Sequence, residues 1–488
     1  MKIAVLSNAS AGVLAGMLRP RHEVWIPPGW GAWAETAASP PREMLAFAPA
    51  AIFLALDPAG RNPGAGGVLE RAVASLESAF PYSEIFVLDM PALASETGPS
   101  FFDPRMAAVA GMPWSLAGLR AIAAEIDRFA GMLQGGVKKA VAVDFDGTLW
   151  DGVLAEDGLD GISPRPGFQK FLLSLKERGV ILVALSKNTP SAVECVWSDP
   201  RMVLRKEDFS CLRIGWSEKA DNLAAAARDL NISPSAFVFV DDSPAERERM
   251  KALSPGTAVP DFPVSPDGLP GFERMLSRRY FPRLRTAASS SGRAASYAAE
   301  AARRRAAEGL DPAEYLRSLD MRIDIAPARP SDVMRLAELS ARCSQFNVLT
   351  SRRTAPEIAA LAADPRHVVL AVRAADRFGD YGTVAFAIAR IDPGARAEIV
   401  DFVMSCRAMN RRIEFSVEEA LEKELSARGV ETLFARRDST PKNAPVENLF
   451  AEFGFETVRV SGPSAFYRRR LAAGPSPAAP CPSASPAR

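Results

Sequence analysis

Histidine is almost missing from this chain. His22 and His367 are the two histidines in 488 residues, each beside an arginine and just ahead of an apolar run. So few imidazoles, so placed, read as strand-edge residues and exclude a serine-histidine-acid triad, a His-rich zinc site and an HExxH protease. Cysteine is also sparse. Cys195, Cys211, Cys343, Cys406 and Cys481 are odd in number, scattered and never in a CxxC pair, which points to a reducing compartment without structural disulfides. Nor is there an excess of one charge. Fifty-nine basic against 58 acidic residues leave +1, so no global field would gather nucleic acid or an anionic membrane. Apolar runs such as Val180 to Leu185 fall far short of the roughly 20 residues that span a bilayer. The opening residues read as strand, turn, helix, strand better than as a signal peptide, so a cytoplasmic protein is expected. What remains is ordinary globular composition, 48% hydrophobic and 24% charged, and 488 residues at roughly 150 per domain imply about three domains.

Residues 1–133 alternate strand-like runs (IAVL, EVWI, AIFLAL, EIFVLDM) with helical ones, the α/β pattern. Asp57 and Asp89 end two of these runs, where an α/β sheet presents its ligand edge, but no histidine partners them. The segment is similar to SGNH-hydrolase-like folds in this coarse pattern only. It lacks a GDS nucleophile motif, so a positioning or partner-binding role is expected. Residues 137–283 form a second α/β unit. Residues 284–310, rich in Ala and Arg, read as a solvated helical connector. Residues 311–470 read as a strand, two helices, three strands, a helix, a strand, a helix and a final strand pair. Residues 471–488 are a Pro/Ala/Ser tail expected to be disordered, which leaves Cys481 without a role.

The strongest signal is KKAVAVDFDGTLWDGVLAEDG, an apolar strand ending in Asp144-Phe145-Asp146-Gly147-Thr148. Aspartates two apart at a strand end point to the same side and can converge on one substrate, and the glycine that follows lets the chain turn. ILVALSKN puts Ser186 at the end of another strand, and FVFVDDSP puts Asp241 and Asp242 at the end of a third. Parallel strands present their carboxyl ends on one edge, so these groups meet in one crevice. Carboxylates so gathered repel unless a cation neutralises them, and hard oxygen ligands call for Mg²⁺. The consistent chemistry is phosphoryl transfer, with Asp144 as nucleophile, Asp146 as general acid/base, and Asp144, Asp146, Asp241 and Asp242 around the metal.

These segments resemble the haloacid dehalogenase (HAD) superfamily of phosphotransferases. The resemblance implies a phospho-aspartate at Asp144, proton transfer by Asp146, phosphoryl binding by Ser186 with Thr148 and Asn188 nearby, and a charge-offsetting lysine. Of the chain's eleven lysines, eight fall between Lys138 and Lys251. Lys219, at the start of the helix that feeds the FVFVDD strand, is the better candidate and Lys206 the weaker. Only 42 positions separate Asp144 from Ser186 and 55 separate Ser186 from Asp241, too few for a full cap domain. Such a site is expected to be open to a large substrate or covered by flanking domains.

Closer matching extends the resemblance over about 137–470. TLWDGVLAEDG, GWSEKADNLAAAARDLNI, FVFVDDSPAERERM, SQFNVLTSRR and FVMSCR are similar to FkbH-like proteins, and the C-terminal order of elements is similar to the GNAT acyltransferase fold. The implied architecture is α/β in three domains: an SGNH-like N-terminal domain, a Rossmann-like HAD core and a GNAT-like α+β domain. The implied reaction takes 1,3-bisphosphoglycerate, a small phosphorylated substrate, removes phosphate, and loads glyceryl onto the phosphopantetheine thiol of an acyl carrier protein in polyketide or related biosynthesis. Cys406, after a strand and before Arg407, is then the thiol of interest, because a neighbouring cation can lower a thiol's pKa. Arg407, Phe346, Asn347, Thr350, Arg352, Arg353 and Asn443 are expected to line the same cleft. The sequence departs from the family twice. Asp151 replaces a glycine, placing a negative charge beside an anionic substrate, and the Gly-rich stretch after SCR is here Ala408-Met409-Asn410-Arg411-Arg412. Two other readings stay open: a plain phosphatase on a sugar or lipid phosphate, and a non-catalytic scaffold.

Overall fold

The computed structural model describes residues 1–29, 31–57, 67–230, 232–284, 303 and 311–471. Most of the expected connector 284–310 and of the expected tail 471–488, with Cys481, lies outside the described residues. Among those described, no helix is long and apolar enough to cross a membrane.

Three main sheets carry the chain. In the first, β1 (Lys2–Ser7), β2 (Glu23–Trp25), β3 (Ala51–Ala55) and β4 (Glu84–Val87) lie in the order 2-1-3-4, all parallel. The order reverses between β1 and β3. Asn8 and Asp57 close that gap, the Asn8 amide donating to the Asp57 carbonyl at 3.0 Å and accepting from the Asp57 N–H at 2.7 Å. Asp89 caps the helix Met90–Thr97 by accepting from the Ala92 N–H. Asp89 therefore uses its carboxylate as a helix cap, while Asp57 is held through its backbone.

The second sheet orders β10 (Phe237–Val240), β5 (Ala140–Val143), β8 (Ile181–Ser186) and β9 (Cys211–Ile214), again parallel. Its inner strands β5, β8 and β10 are buried apolar runs because both faces are covered, while the edge strand β9 carries Arg213 and is only partly buried. Val141, Val143, Leu182, Val238 and Val240 enter one core, and Ala140, Ala142, Val183, Phe237 and Phe239 enter another. The helix Lys219–Asp229 lays Leu223, Ala226 and Ala227 on the second core, which fixes its first residue at the carboxyl edge of the sheet. Between β5 and β8 lie only the short ladder β6 (Trp150–Asp151) with β7 (Ser163–Pro164), the helix Leu154–Gly161, and the helix Pro166–Glu177 that packs on the sheet.

The third sheet contains β11 (Arg322–Pro327), β13 (His367–Asp376), β14 (Gly379–Asp392), β15 (Arg396–Met404), β16 (Thr432–Asp438), β18 (Ser464–Arg470) and β17 (Glu456–Ser461), in that order. β15 and β16 run parallel from Arg396–Thr432 to Ile399–Ala435 and then part. Into the gap goes β12 (Phe346–Asn347), paired antiparallel with the end of β15, while the Asp438 N–H donates to the Val348 carbonyl at 2.8 Å. A two-residue strand leaves no periodicity to read, and the sequence reading did not foresee it.

The three sheets are packed together. Arg128 donates to the carbonyls of Arg278 and Arg279, joining the first to the second. Gly135, with φ +103°, lies so close to the helix Val333–Arg342 of the third that a Cβ there would stand 2.2 Å from the Ala341 carbonyl oxygen. Arg303 is buried against Asp376, with donor distances of 2.6 and 2.9 Å. Neither histidine belongs to a chemical cluster. His22 pairs with Asp127 at 2.9 Å, and His367 begins β13 beside Asp364.

Candidate active site

Asp144 follows β5, with its N–H on the Val240 carbonyl. Phe145 turns the other way into the core, 5.3 Å from the Trp150 ring and 5.6 Å from that of Trp197. This alternation, anchored by one fully buried ring, presents the flanking aspartates to the edge. Gly147 turns the chain with φ +67°. A Cβ there would collide with the Asp242 carboxylate at 2.2 Å, so glycine is required by both conformation and space.

Lys219 lies between the ends of β5 and β10. Its Nζ is 2.9 Å from Asp144 Oδ2 and 2.6 Å from Asp241 Oδ2, and all three side chains are buried. Burial pushes the Asp144 carboxyl up to about 7, against the pull of Lys219, and Asp241 adds to the rise. Burial also raises Asp241, again against Lys219. Burial alone would depress the Lys219 ammonium, but Asp144 and Asp241 outweigh it and hold it above its ordinary value.

Asp144, Asp241 and Asp242 can each bring one carboxylate oxygen within 4.8 Å of the others. Asp144 Oδ1 is buried and has no hydrogen-bond partner. An orphaned oxygen inside such a cluster is the donor set a hard divalent cation takes, so these residues fit Mg²⁺. Thr148 orients Asp242, donating to Oδ1 at 3.2 Å and accepting from the Asp242 N–H at 3.1 Å. Arg247, which the sequence reading missed, donates to the carbonyls of Asp241 and Asp242 at 2.9 and 2.7 Å and holds that turn.

Asp146 departs from the expectation that its carboxylate joins the metal ligands. It stands outside the cluster, because Trp150 Nε1 and the Leu154 N–H donate to its Oδ1 and Asn188 Nδ2 donates to its Oδ2. Ser186 is buried at the end of β8, 3.3 Å from Asn188 Nδ2. Lys206 is remote from this arrangement and pairs with Glu194 on the surface. Asp151 pairs with Arg165, so the charge that replaces a glycine is neutralised.

A second equipped cleft, about 640 Å³, lies between the second and third sheets. Cys343, Cys406 and Arg407 line it from one side, Lys139 and Arg228 from the other. Lys139 precedes β5 and Ile181 begins β8, so this cleft opens on the edge of the second sheet opposite to Asp144. Cys343 keeps some exposure, yet dense surrounding protein pushes its thiol up to about 12, with nearby Cys406 adding to the rise and Lys139 opposing it. After Cys406 the backbone takes left-handed turns at Asn410 and Arg412, φ 63° and 60°, without the glycines that favour them. Arg411 is buried and donates to Tyr381 Oη at 2.9 Å.

Phe346 and Arg407 line the cleft as expected, but Asn347, Thr350, Arg352, Arg353 and Asn443 do not. Asn347 and Asn443 are fully buried. Asn443 Nδ2 donates to the carbonyls of Asn347 and Asp438, and Asn347 Nδ2 donates to those of Cys343 and Ser351. Arg352 donates to the carbonyls of Ser340 and Cys343. All three hold the β12 wedge in place. Arg353 pairs with Asp401, and Thr350 takes a left-handed turn at φ 53°.

No family model and no curated protein matches the chain. Among solved structures, the N-terminal part of protein BF1531 from Bacteroides fragilis, which contains a phosphatase domain and is complexed with Mg, is similar at 22% identity. That match covers 57% of this chain and 93% of the other, with a TM-score of 0.44. The ribosomal-protein-S18-alanine N-acetyltransferase of Escherichia coli is similar at 15% identity over 31% of this chain and 96% of its own, TM-score 0.26. A putative acetyltransferase of the GNAT family from Desulfovibrio desulfuricans is similar at 14% identity over 31% of this chain and 99% of its own, TM-score 0.27.

Proposed function

We propose that the chain is a Mg²⁺-dependent HAD-type phosphotransferase with an acyl-transfer unit at its C-terminal end, acting on 1,3-bisphosphoglycerate and loading glyceryl onto the phosphopantetheine thiol of an acyl carrier protein. The observation that carries the first part is the unpartnered, buried Asp144 Oδ1, whose companion Oδ2 is held by Lys219. In phosphoryl transfer, one oxygen of the Asp144 carboxylate attacks phosphorus while the other faces the metal, the ester P–O bond breaks, and Asp146 gives its proton to the departing oxygen. Water then attacks the aspartyl phosphate while Asp146 takes back a proton, releasing phosphate and restoring Asp144. Ser186 would bind a phosphoryl oxygen. Mg²⁺, held by Asp144, Asp241 and Asp242, would screen the charge between nucleophile and phosphate.

The acyl step rests on Cys406 and the parted strands beside it. The Cys406 sulfur attacks the acyl phosphate carbon, the C–O bond to phosphate breaks, and the thiol proton leaves with the phosphate. The carrier's thiol then displaces Cys406 from the thioester and returns a proton to it. The N-terminal sheet, read as SGNH-like but without a nucleophile motif, serves positioning or partner binding. A second reading, a plain phosphatase on a sugar or lipid phosphate, is favoured by the placement of the two clefts on opposite edges of one sheet.

Incubation with Mg²⁺, 1,3-bisphosphoglycerate and phosphopantetheinylated carrier, followed by weighing the carrier, separates these readings. A glyceryl mass gain that disappears in Asp144→Asn supports transfer. Phosphate release with an unchanged carrier supports the plain phosphatase. Neither result across a panel of phosphate esters leaves a scaffold.

A further inference from the structure

Trp150 is fully buried, and its position invites reading it as core alone. Its ring does pack on Phe145, yet its indole N–H donates to Asp146 Oδ1 at 2.8 Å. The Leu154 N–H reaches the same oxygen at 3.0 Å, and Asn188 Nδ2 takes Oδ2 at 2.7 Å. An indole N–H only donates, and a buried ring has little freedom to turn, so this contact fixes the carboxylate's rotation more firmly than a flexible hydroxyl or amide would. The residues that supply it also begin the short flap formed by β6, β7 and the helix Leu154–Gly161. Asp146 thus faces the crevice in an orientation set by the flap on one side and by the turn after β8 on the other.

We propose that Trp150 is a positioning residue for the general acid: it sets the direction in which Asp146 meets the departing ester oxygen, and ties that direction to the flap. The inference rests on the phosphoryl-transfer reading of Asp144. General acid catalysis matters when the leaving group departs as a strongly basic alkoxide, and little when it departs as a stabilised phenolate. The effect of Trp150 therefore depends on the ester supplied.

The test compares kcat/KM of wild type, Trp150→Phe and Asp146→Asn on glycerol 3-phosphate and on p-nitrophenyl phosphate. kcat/KM stops at the first irreversible step, so hydrolysis of the aspartyl phosphate, common to both esters, does not enter. Trp150→Phe keeps a buried ring and deletes the donor. The expected loss on glycerol 3-phosphate is about a hundredfold, at the lower end of what general acids contribute, and at least tenfold smaller on p-nitrophenyl phosphate. Asp146→Asn should show the same split, larger. Equal losses on both esters in Trp150→Phe, or no loss on either, overturn the proposal. If Trp150→Phe loses its native circular dichroism, Trp150→His takes its place, since a suitably placed imidazole N–H restores a donor and should shrink the split. A split as wide as that of Asp146→Asn would then count against a positioning role. Wild-type release of phosphate from neither ester, or full release by Asp144→Asn, overturns the phosphoryl-transfer reading and this inference with it.

Discussion

The two equipped clefts sit at opposite ends of the same strand and use opposite charges. At the carboxyl end of β5, Asp144, Asp241 and Asp242 gather, and Lys219 pairs with the first two. At its amino end Lys139, Arg228 and Arg407 face Cys343 and Cys406, and the acid there, Glu338, is paired with Arg335 and Arg342. From Lys139 to Asp144 the strand covers roughly 17 Å at about 3.3 Å per residue. The sheet between is fully buried, Val141, Val143, Val183 and Val238 having no exposure. A small substrate cannot touch both clefts at once. Any group handled at both must be released or carried around the outside, a task suited to a long tethered arm. Near Asp144 the chain supplies only a short flap, while the C-terminal unit lines the cleft at the other edge.

This contrast can be broken in order of expected size. Asp144→Asn should lower phosphate release on the order of 10⁴-fold or more, as removal of a nucleophile does, while alkylation of Cys406 by iodoacetamide, followed by peptide mass, proceeds at the wild-type rate. A slowed alkylation would show that the clefts are coupled. Chelation with EDTA should abolish phosphate release and added Mg²⁺ restore it, while the rate of Cys406 alkylation changes less than about twofold, because the carboxylate cluster lies at the other edge of the sheet. Lys219→Met removes the cation from a buried cluster, which costs about 3–5 kcal/mol when the remaining charges stay unpaired. Its melting temperature should fall, and rise again on adding Mg²⁺. Cys406→Ala should stop the carrier's mass gain and leave release from p-nitrophenyl phosphate within about twofold. A last effect is chemical. With its thiol near 12 against an ordinary 9.0, Cys343 has about a thousandfold less thiolate at pH 8 than an unperturbed thiol. Exposed Cys195 should be alkylated well before it, as time-resolved peptide mass would record.

What was legible in the sequence is what periodicity and strand ends encode. Apolar runs stopping at Asp144, Ser186 and Asp241 announced three parallel strands with chemistry on one edge, and a lysine at a helix start near those ends was the better choice over Lys206. The C-terminal order of strands and helices was readable for the same reason. Hydrogen-bond partners were not readable, whether nearby in sequence, as Trp150 is to Asp146, or distant, as Asn443 is from Asn347. Asn347, Arg352 and Asn443 look like ligand groups, and only the β12 wedge reveals backbone carbonyls as their targets. Asp146 shares its motif's spacing with Asp144, yet Trp150 and Asn188 claim it. Trp150 itself looks apolar until its one polar atom finds a carboxylate.

The close approach of Gly135 to Ala341 makes a spacer of bare backbone. The helix Val333–Arg342 that it touches also supplies Leu339 and Arg342 to the wall of the thiol cleft. A methyl group at position 135 would act as a wedge, prying that wall outward while leaving every side chain of both clefts intact. The aperture of that cleft is thus set, in part, by the absence of a side chain at a position outside its lining.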